Sequence, residues 1–177
     1  MTNYLRNLAA ASLLALGLAS PAAAELPVGE SAPVFSTRAA LAGEEFGFSL
    51  RSALAKGPVV IYFYPKAFTQ GCTLEANAFA DNMPEFKAAG ATVIGMSADD
   101  IATLKRFSRE ECRDAFAVGV ASANLLKAYD VARENSPLAK RTSYVIAPDG
   151  KITMVYSNSD YREHVSRTLA AVKALSK

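Results

Sequence analysis

The feature that most constrains this chain is the unbroken apolar run Pro58-Val59-Val60-Ile61-Tyr62-Phe63-Tyr64. It is β-branched and aromatic almost throughout, which suits a strand buried on both faces, as strands of a parallel sheet are. The run leads into Pro65-Lys66-Ala67-Phe68-Thr69-Gln70-Gly71-Cys72-Thr73-Leu74-Glu75, a Pro-containing turn after which a cysteine heads a segment of helical apolar spacing. The free N–H groups and positive dipole end of a helix N-terminus favour a thiolate over a thiol, and the thiolate is the sulfur nucleophile. The stretch reads as strand, turn and reactive cysteine.

The rest of the chain repeats this alternation. From Thr73 to Ala89, apolar Ala76, Phe79, Ala80, Met83 and Phe86 recur at helical spacing, and Gly90 supplies the stop. Ala91 to Met96 is a second strand, and strand-helix-strand builds a parallel sheet by a right-handed crossover. Ser97 and Asp100 resemble a capping box before Ile101, Leu104 and Phe107, a helical face running toward Cys112. Phe116 to Val120 is a short strand, and Leu125, Leu126 and Tyr129 mark a short helix. A polar loop, Arg133 to Lys140, precedes a hairpin of Thr142 to Ala147 and Lys151 to Tyr156, turned by Pro148-Asp149-Gly150. Val165, Leu169, Val172 and Leu175 lie on a C-terminal helix. Upstream, Gly43-Glu44-Glu45 turns a small hairpin and Ser49 to Ala55 forms one helical turn. The order β, α, β, α, β, α, β, β, α is an α/β arrangement, a mixed central sheet flanked by helices. It matches the thioredoxin-like fold with additions at the N-terminus and in the middle.

A chain of 177 residues suits one domain, and a net charge of +2 with 20% charged residues excludes the strong field expected of a nucleic-acid or charged-membrane partner. Residues 1–24 differ in kind. Arg6 is followed by apolar Leu8 to Leu18 and by Ser20-Pro21-Ala22-Ala23-Ala24, an A-x-A site. This reads as a secretory signal peptide cleaved after Ala24, too short for the roughly 20 residues of a membrane span. The mature domain is then 25–177, exported and periplasmic, with no membrane association after cleavage. In an oxidising compartment two cysteines, Cys72 and Cys112, also suit a plain structural disulfide. Two Cys and the distant His164 do not make a metal site.

The turn itself carries the chemistry. Where a thioredoxin-like unit presents a C-x-x-C pair, this chain has Thr69-Gln70-Gly71-Cys72, which argues against ordinary dithiol exchange. Pro65-x-x-x-Thr69-x-x-Cys72 resembles the active-site signature of the peroxiredoxins. The longer stretch Tyr62 to Glu75, with Arg141-Thr142-Ser143-Tyr144-Val145-Ile146-Ala147-Pro148-Asp149-Gly150, is similar to the peroxiredoxin Q or bacterioferritin comigratory protein subfamily. The resemblance spans about Gly29 to the final helix.

It implies a thiol peroxidase that reduces hydrogen peroxide and organic hydroperoxides without cofactor or metal. Cys72 is then the peroxidatic cysteine, oxidised to a sulfenic acid. Thr69 holds peroxide and thiolate through its hydroxyl. Arg141 favours the thiolate and polarises the O–O bond with a guanidinium better suited to that task than a lysine. Pro65 shields the sulfur, and Glu75, a turn beyond Cys72, orients Arg141 by an ion pair. Many subfamily members carry a resolving cysteine five positions after the peroxidatic one, but that position here is Asn77. Cys112 is the remaining candidate, with a one-Cys enzyme as the alternative. A disulfide needs Cα atoms within roughly 7 Å, so pairing Cys72 with Cys112 implies local unfolding around one or both. The resemblance further implies a monomer reset by a thioredoxin-like reductant. Lys66 and His164 read as surface residues. Two other functions stay open from the residues alone: an exported thiol-disulfide oxidoreductase, and a non-catalytic thioredoxin-like domain with a structural disulfide.

Overall fold

The computed structural model describes residues 25–176. The expected signal peptide lies outside the described residues. The elements are β1 (Ser36–Leu41), β2 (Glu44–Ser49), α1 (Leu50–Leu54), β3 (Val59–Phe63), α2 (Gln70–Ala88), β4 (Thr92–Ser97), α3 (Ile101–Glu110), β5 (Ala117–Val120), α4 (Ala123–Ala128), β6 (Thr142–Ile146), β7 (Ile152–Ser157) and α5 (His164–Leu175). Seven strands form one sheet in the order β2-β1-β5-β4-β3-β6-β7. β3 runs parallel to β4 and β4 to β5, whereas β6 pairs antiparallel with β3, and β1 with β5. This is the mixed, helix-flanked sheet that the sequence pattern predicts.

β3 is buried at all five positions. Its alternation sends Val59, Ile61 and Phe63 into one apolar layer with Leu50, Leu54, Leu126, Tyr129 and Tyr144. Val60 and Tyr62, with Tyr64 just beyond the strand, enter the other layer with Phe79, Phe86, Leu104, Phe107 and Val172 from α2, α3 and α5. Tyr62 stacks on Phe79 at 4.3 Å between ring centroids and Tyr64 on Phe107 at 5.5 Å. Each aromatic buried there contributes roughly 1.5–3 kcal/mol, and together they fix α2 and α3 on the sheet. Cys72 and Cys112 both belong to this second layer.

Two local expectations are corrected. α2 starts at Gln70, not Thr73, because Thr69 takes the extended N-cap conformation (φ −83°, ψ 148°). The cap of α3 is Asp100 alone, whose carboxylate accepts from Thr103 N at 2.8 Å, while Ser97 Oγ donates to Asp99 Oδ2 at 2.8 Å. α2 also runs through Pro84, which cannot supply the N–H for the carbonyl four residues back.

Candidate active site

The turn between β3 and α2 is built by a few specific contacts. The Ala67 N–H donates to Asp99 Oδ2 at 2.8 Å, pinning the turn to the loop after β4. Phe68 sits at φ +62°, a left-handed conformation that costs a non-glycine residue about 1 kcal/mol. Its ring is held edge-on to Phe107, 5.2 Å between centroids, and beneath the Arg106 guanidinium at 5.0 Å. Pro65 is half-buried and Thr69 exposed at the mouth of the turn. The Thr69 hydroxyl donates to the Lys66 carbonyl at 2.9 Å, so its proton is engaged and its lone pairs face outward as acceptors.

Cys72 is the third residue of α2 and only 1% exposed. The first helical bond runs from Thr73 N to Thr69 O, so the preceding N–H groups are free of intrahelical partners and place the positive end of the helix beside the sulfur. Arg141, directly before β6, completes the site. Its Nη2 donates to Cys72 Sγ at 3.5 Å, its Nε to the Ser159 carbonyl at 3.0 Å, and its Nη1 to Glu75 Oε2. Gly71 permits this approach, since a Cβ there would stand 3.2 Å from Arg141 Nη2. A cation held on three sides next to a cysteine at a helix start can stabilise a thiolate and the charge that develops on an oxygen attacked by it.

Glu75 is fully buried, and burial pushes its carboxyl up to about 8 against the opposing pull of Arg141. The surface reading of His164 is corrected. It heads α5 at 0% exposure, bonded to Ser143 Oγ (2.8 Å) and to the Asn158 carbonyl (3.0 Å), and lies 3.8 Å from Glu75 Oε1. Burial lowers its imidazole to about 4. Lys66 is exposed, as expected.

Pro65, Thr69, Cys72, Glu75 and Arg141 are thus gathered at one end of the sheet. Cys112 sits apart, in the turn just past α3, fully buried, and both thiols are free. Burial, reinforced by the charges of Glu111 and Asp114, pushes the Cys112 thiol well up. Its turn is clasped to α2: Asn77 Nδ2 donates to Glu111 Oε2 at 3.4 Å, and Arg113 Nη2 to the Asn77 carbonyl at 2.7 Å and to Asp81 at 2.8 Å. Arg113 and Asp114 follow Cys112 in left-handed conformations, φ 51° and 57°. Asn77, five positions after Cys72, is thus part of that clasp.

Sequence reasoning missed Asp99, Gly71, Phe68 and the His164–Ser143 pair. Only Gly71, a glycine immediately before the reactive cysteine, left a usable signal. Among the described residues no group of His, Cys, Asp and Glu is gathered for a metal ion. A groove of about 430 Å³ lies elsewhere, lined by Phe46, Phe48, Lys56, Met83, Lys87 and Phe116.

Comparison with known proteins gives a coherent result. Residues 28–155 match the AhpC/TSA family. The chain is 34% identical over 150 residues to peroxiredoxin Q, chloroplastic, of Oryza sativa subsp. japonica, covering 83% of this chain and 67% of the relative. Among solved structures it is similar to peroxidoxin BcpB from Mycobacterium tuberculosis, with a TM-score of 0.75 and 30% identity over 84% of this chain and 97% of that one. It is also similar to the bacterioferritin comigratory protein of Xanthomonas campestris, whose structures address alkyl peroxide reduction. That match has a TM-score of 0.70 and 31% identity over 79% of this chain and 92% of that one.

Proposed function

The chain belongs to the AhpC/TSA family and, within it, to the peroxiredoxin Q/Bcp group of thiol-dependent peroxidases, and from that premise we propose that Cys72 is its peroxidatic nucleophile. The observation that carries the reading is the Arg141 guanidinium, 3.5 Å from Cys72 Sγ and fixed by Glu75 and the Ser159 carbonyl. The Cys72 thiolate attacks the terminal oxygen of a hydroperoxide. The S–O bond forms as the O–O bond breaks, the electron pair leaves on the departing oxygen, and that oxygen takes up the hydroperoxide proton. Sulfur is oxidised to the sulfenate, which becomes the sulfenic acid by taking one proton from solvent, and the peroxide is reduced to water or an alcohol. Thr69, its own proton engaged by the Lys66 carbonyl, accepts from the peroxide O–H. Arg141 faces the charge on the leaving oxygen, and half-buried Pro65 limits water at the sulfur.

Cys112 then acts as the resolving thiol, attacking the sulfenic sulfur with loss of water to give a disulfide. Because both cysteines are buried in the same layer, with Cys112 clasped in its turn, this step proceeds through opening of the Glu111–Asp114 turn. A thioredoxin-like dithiol restores both thiols by accepting the oxidising equivalents. The substrates are hydrogen peroxide and alkyl hydroperoxides, a class supported by the activity studied in the Xanthomonas relative. The protein works as a monomer in the periplasm after cleavage behind Ala24.

Stopped-flow mixing with hydrogen peroxide tests the reading. Wild-type protein is expected to consume peroxide stoichiometrically before any reductant is added, and Cys72→Ser to lose that reaction. A Cys72→Ser protein that consumes peroxide at the wild-type rate overturns it.

A further inference from the structure

The groove between the β1–β2 hairpin and the end of α2 has no part in the reaction just described, and it is built at the opposite end of the sheet. Cys72 follows the end of β3, whereas the groove is lined where the parallel strands β4 and β5 begin, at Thr92 and Ala117. Its floor is the buried Phe48, Met83 and Phe116. Its rim is Leu41 and Phe46, each 39% exposed, on β1 and β2. β2 is the edge of the sheet, so among the described residues no further strand covers that rim. The volume of about 430 Å³ falls in the range of about 300–1,000 Å³ usual for small-molecule sites.

Charge distinguishes this groove from a plain apolar crevice. Lys56, just past α1, and Lys87, in the last turn of α2, both line it. They are carried by two turns that abut. A side chain on Gly57 would collide with the Gly90 carbonyl, and the Thr92 N–H donates to the Pro58 carbonyl at 2.9 Å. The two cations therefore enter the groove from the same end. No Asp or Glu lines it, and among the described residues neither ammonium makes an ion pair. Glu85, two positions before Lys87, is held by Lys173 instead. Positive charge at one end and exposed apolar surface along the rest complement an amphipathic anion. We propose that the groove binds a long-chain carboxylate, its head between Lys56 and Lys87 and its alkyl chain against Phe46, Met83 and Phe116. A short anion would leave the apolar rim in water, and an uncharged chain would leave both ammonium groups unused. A peptide strand added to β2 would pair with its free backbone edge and needs neither lysine. A second copy meeting this face by two-fold symmetry would bring two more lysines and no acid from its own groove.

Isothermal titration calorimetry of the reduced protein with dodecanoate, below its micelle concentration, tests this without reference to peroxide chemistry. The expected result is one site per chain. Binding should be weaker by about tenfold or more in the double variant Lys56→Gln, Lys87→Gln, and tighter by about threefold for each CH₂ added from octanoate to dodecanoate. Both lysines are exposed, so the double variant should melt with the wild type. Dodecyltrimethylammonium, with the same chain and the opposite charge, should not bind, and that arm needs no variant. Amide shifts in ¹⁵N-labelled protein should centre on Phe46, Lys56, Met83 and Phe116 and leave Cys72 and Arg141 unmoved. Dodecanoate that does not bind, that binds the double variant as tightly as the wild type, or that shifts residues around Cys72 instead overturns the proposal. A dimer seen by sedimentation and dissociated by Phe46→Ser would show a second copy covering the groove and equally overturns it. None of these readouts depends on whether Cys72 reacts with peroxide.

Discussion

Arg141 Nη2 stands 3.5 Å from Cys72 Sγ, and the same guanidinium is anchored through Nη1 to the buried Glu75. The two residues are far apart in the chain. They meet because Cys72 opens the helix that follows β3, and Arg141 immediately precedes β6, the antiparallel neighbour of β3. The end of one strand pair therefore carries nucleophile and cation together.

Arg141→Lys should lower the second-order rate with hydrogen peroxide by about 10²–10³-fold, the loss typical of removing one preorganised donor from a developing oxyanion. A lysine keeps a charge but cannot hold Cys72, Glu75 and the Ser159 carbonyl with one planar group. Stopped-flow kinetics of the single-turnover reaction measure this directly.

Gly71→Ala places a methyl group against Arg141 Nη2, at 3.2 Å. The guanidinium must shift by a few tenths of an ångström. A displacement on that scale at a reacting centre should slow peroxide reduction about tenfold, with little change in thermal stability. The same kinetics alongside a melting curve separate the two effects.

How far the sequence reveals this site differs by residue. The strand-turn-helix around Cys72 is legible because period and composition act locally, and Arg141 becomes legible through its resemblance to a known family. His164 was not. A lone histidine at a helix start looks like a surface residue, and only the docking of α5 on β6 and α2 buries it against Ser143 and Glu75. Asp99 escaped for the same reason, since its bond to the Ala67 N–H crosses from one βα turn to the next. Pro84 is the converse case: a residue that breaks helices locally is carried inside α2, whose apolar side chains Phe79, Met83 and Phe86 are buried on both sides of it.

Asp81→Ala, which removes one exposed partner of Arg113, should speed disulfide formation after oxidation while the initial peroxide reaction is unchanged. The exposed pair contributes about 0.5 kcal/mol, so the second kinetic phase should accelerate about twofold. Double-mixing stopped-flow fluorescence or acid-quench thiol counting resolves the two phases.

His164 makes stability depend on acid. Its imidazole is lowered from 6.5 to about 4 by burial in the fold. Between those values the unfolded chain binds a proton that the folded chain does not. The stabilisation is therefore complete above pH 6.5 and is lost as the pH falls toward 4. The difference in unfolding midpoint between wild type and His164→Gln should shrink over that interval, as urea titrations at a series of pH values will show.

The most direct measurement is intact mass with thiol counting after one equivalent of hydrogen peroxide, on wild-type protein and on Cys112→Ser. The predicted outcome is an intramolecular Cys72–Cys112 disulfide in the wild type and a sulfenic acid at Cys72 in the variant. A wild-type protein that retains a free Cys112 thiol beside an oxidised Cys72, or that loses no thiol at all, would contradict the account.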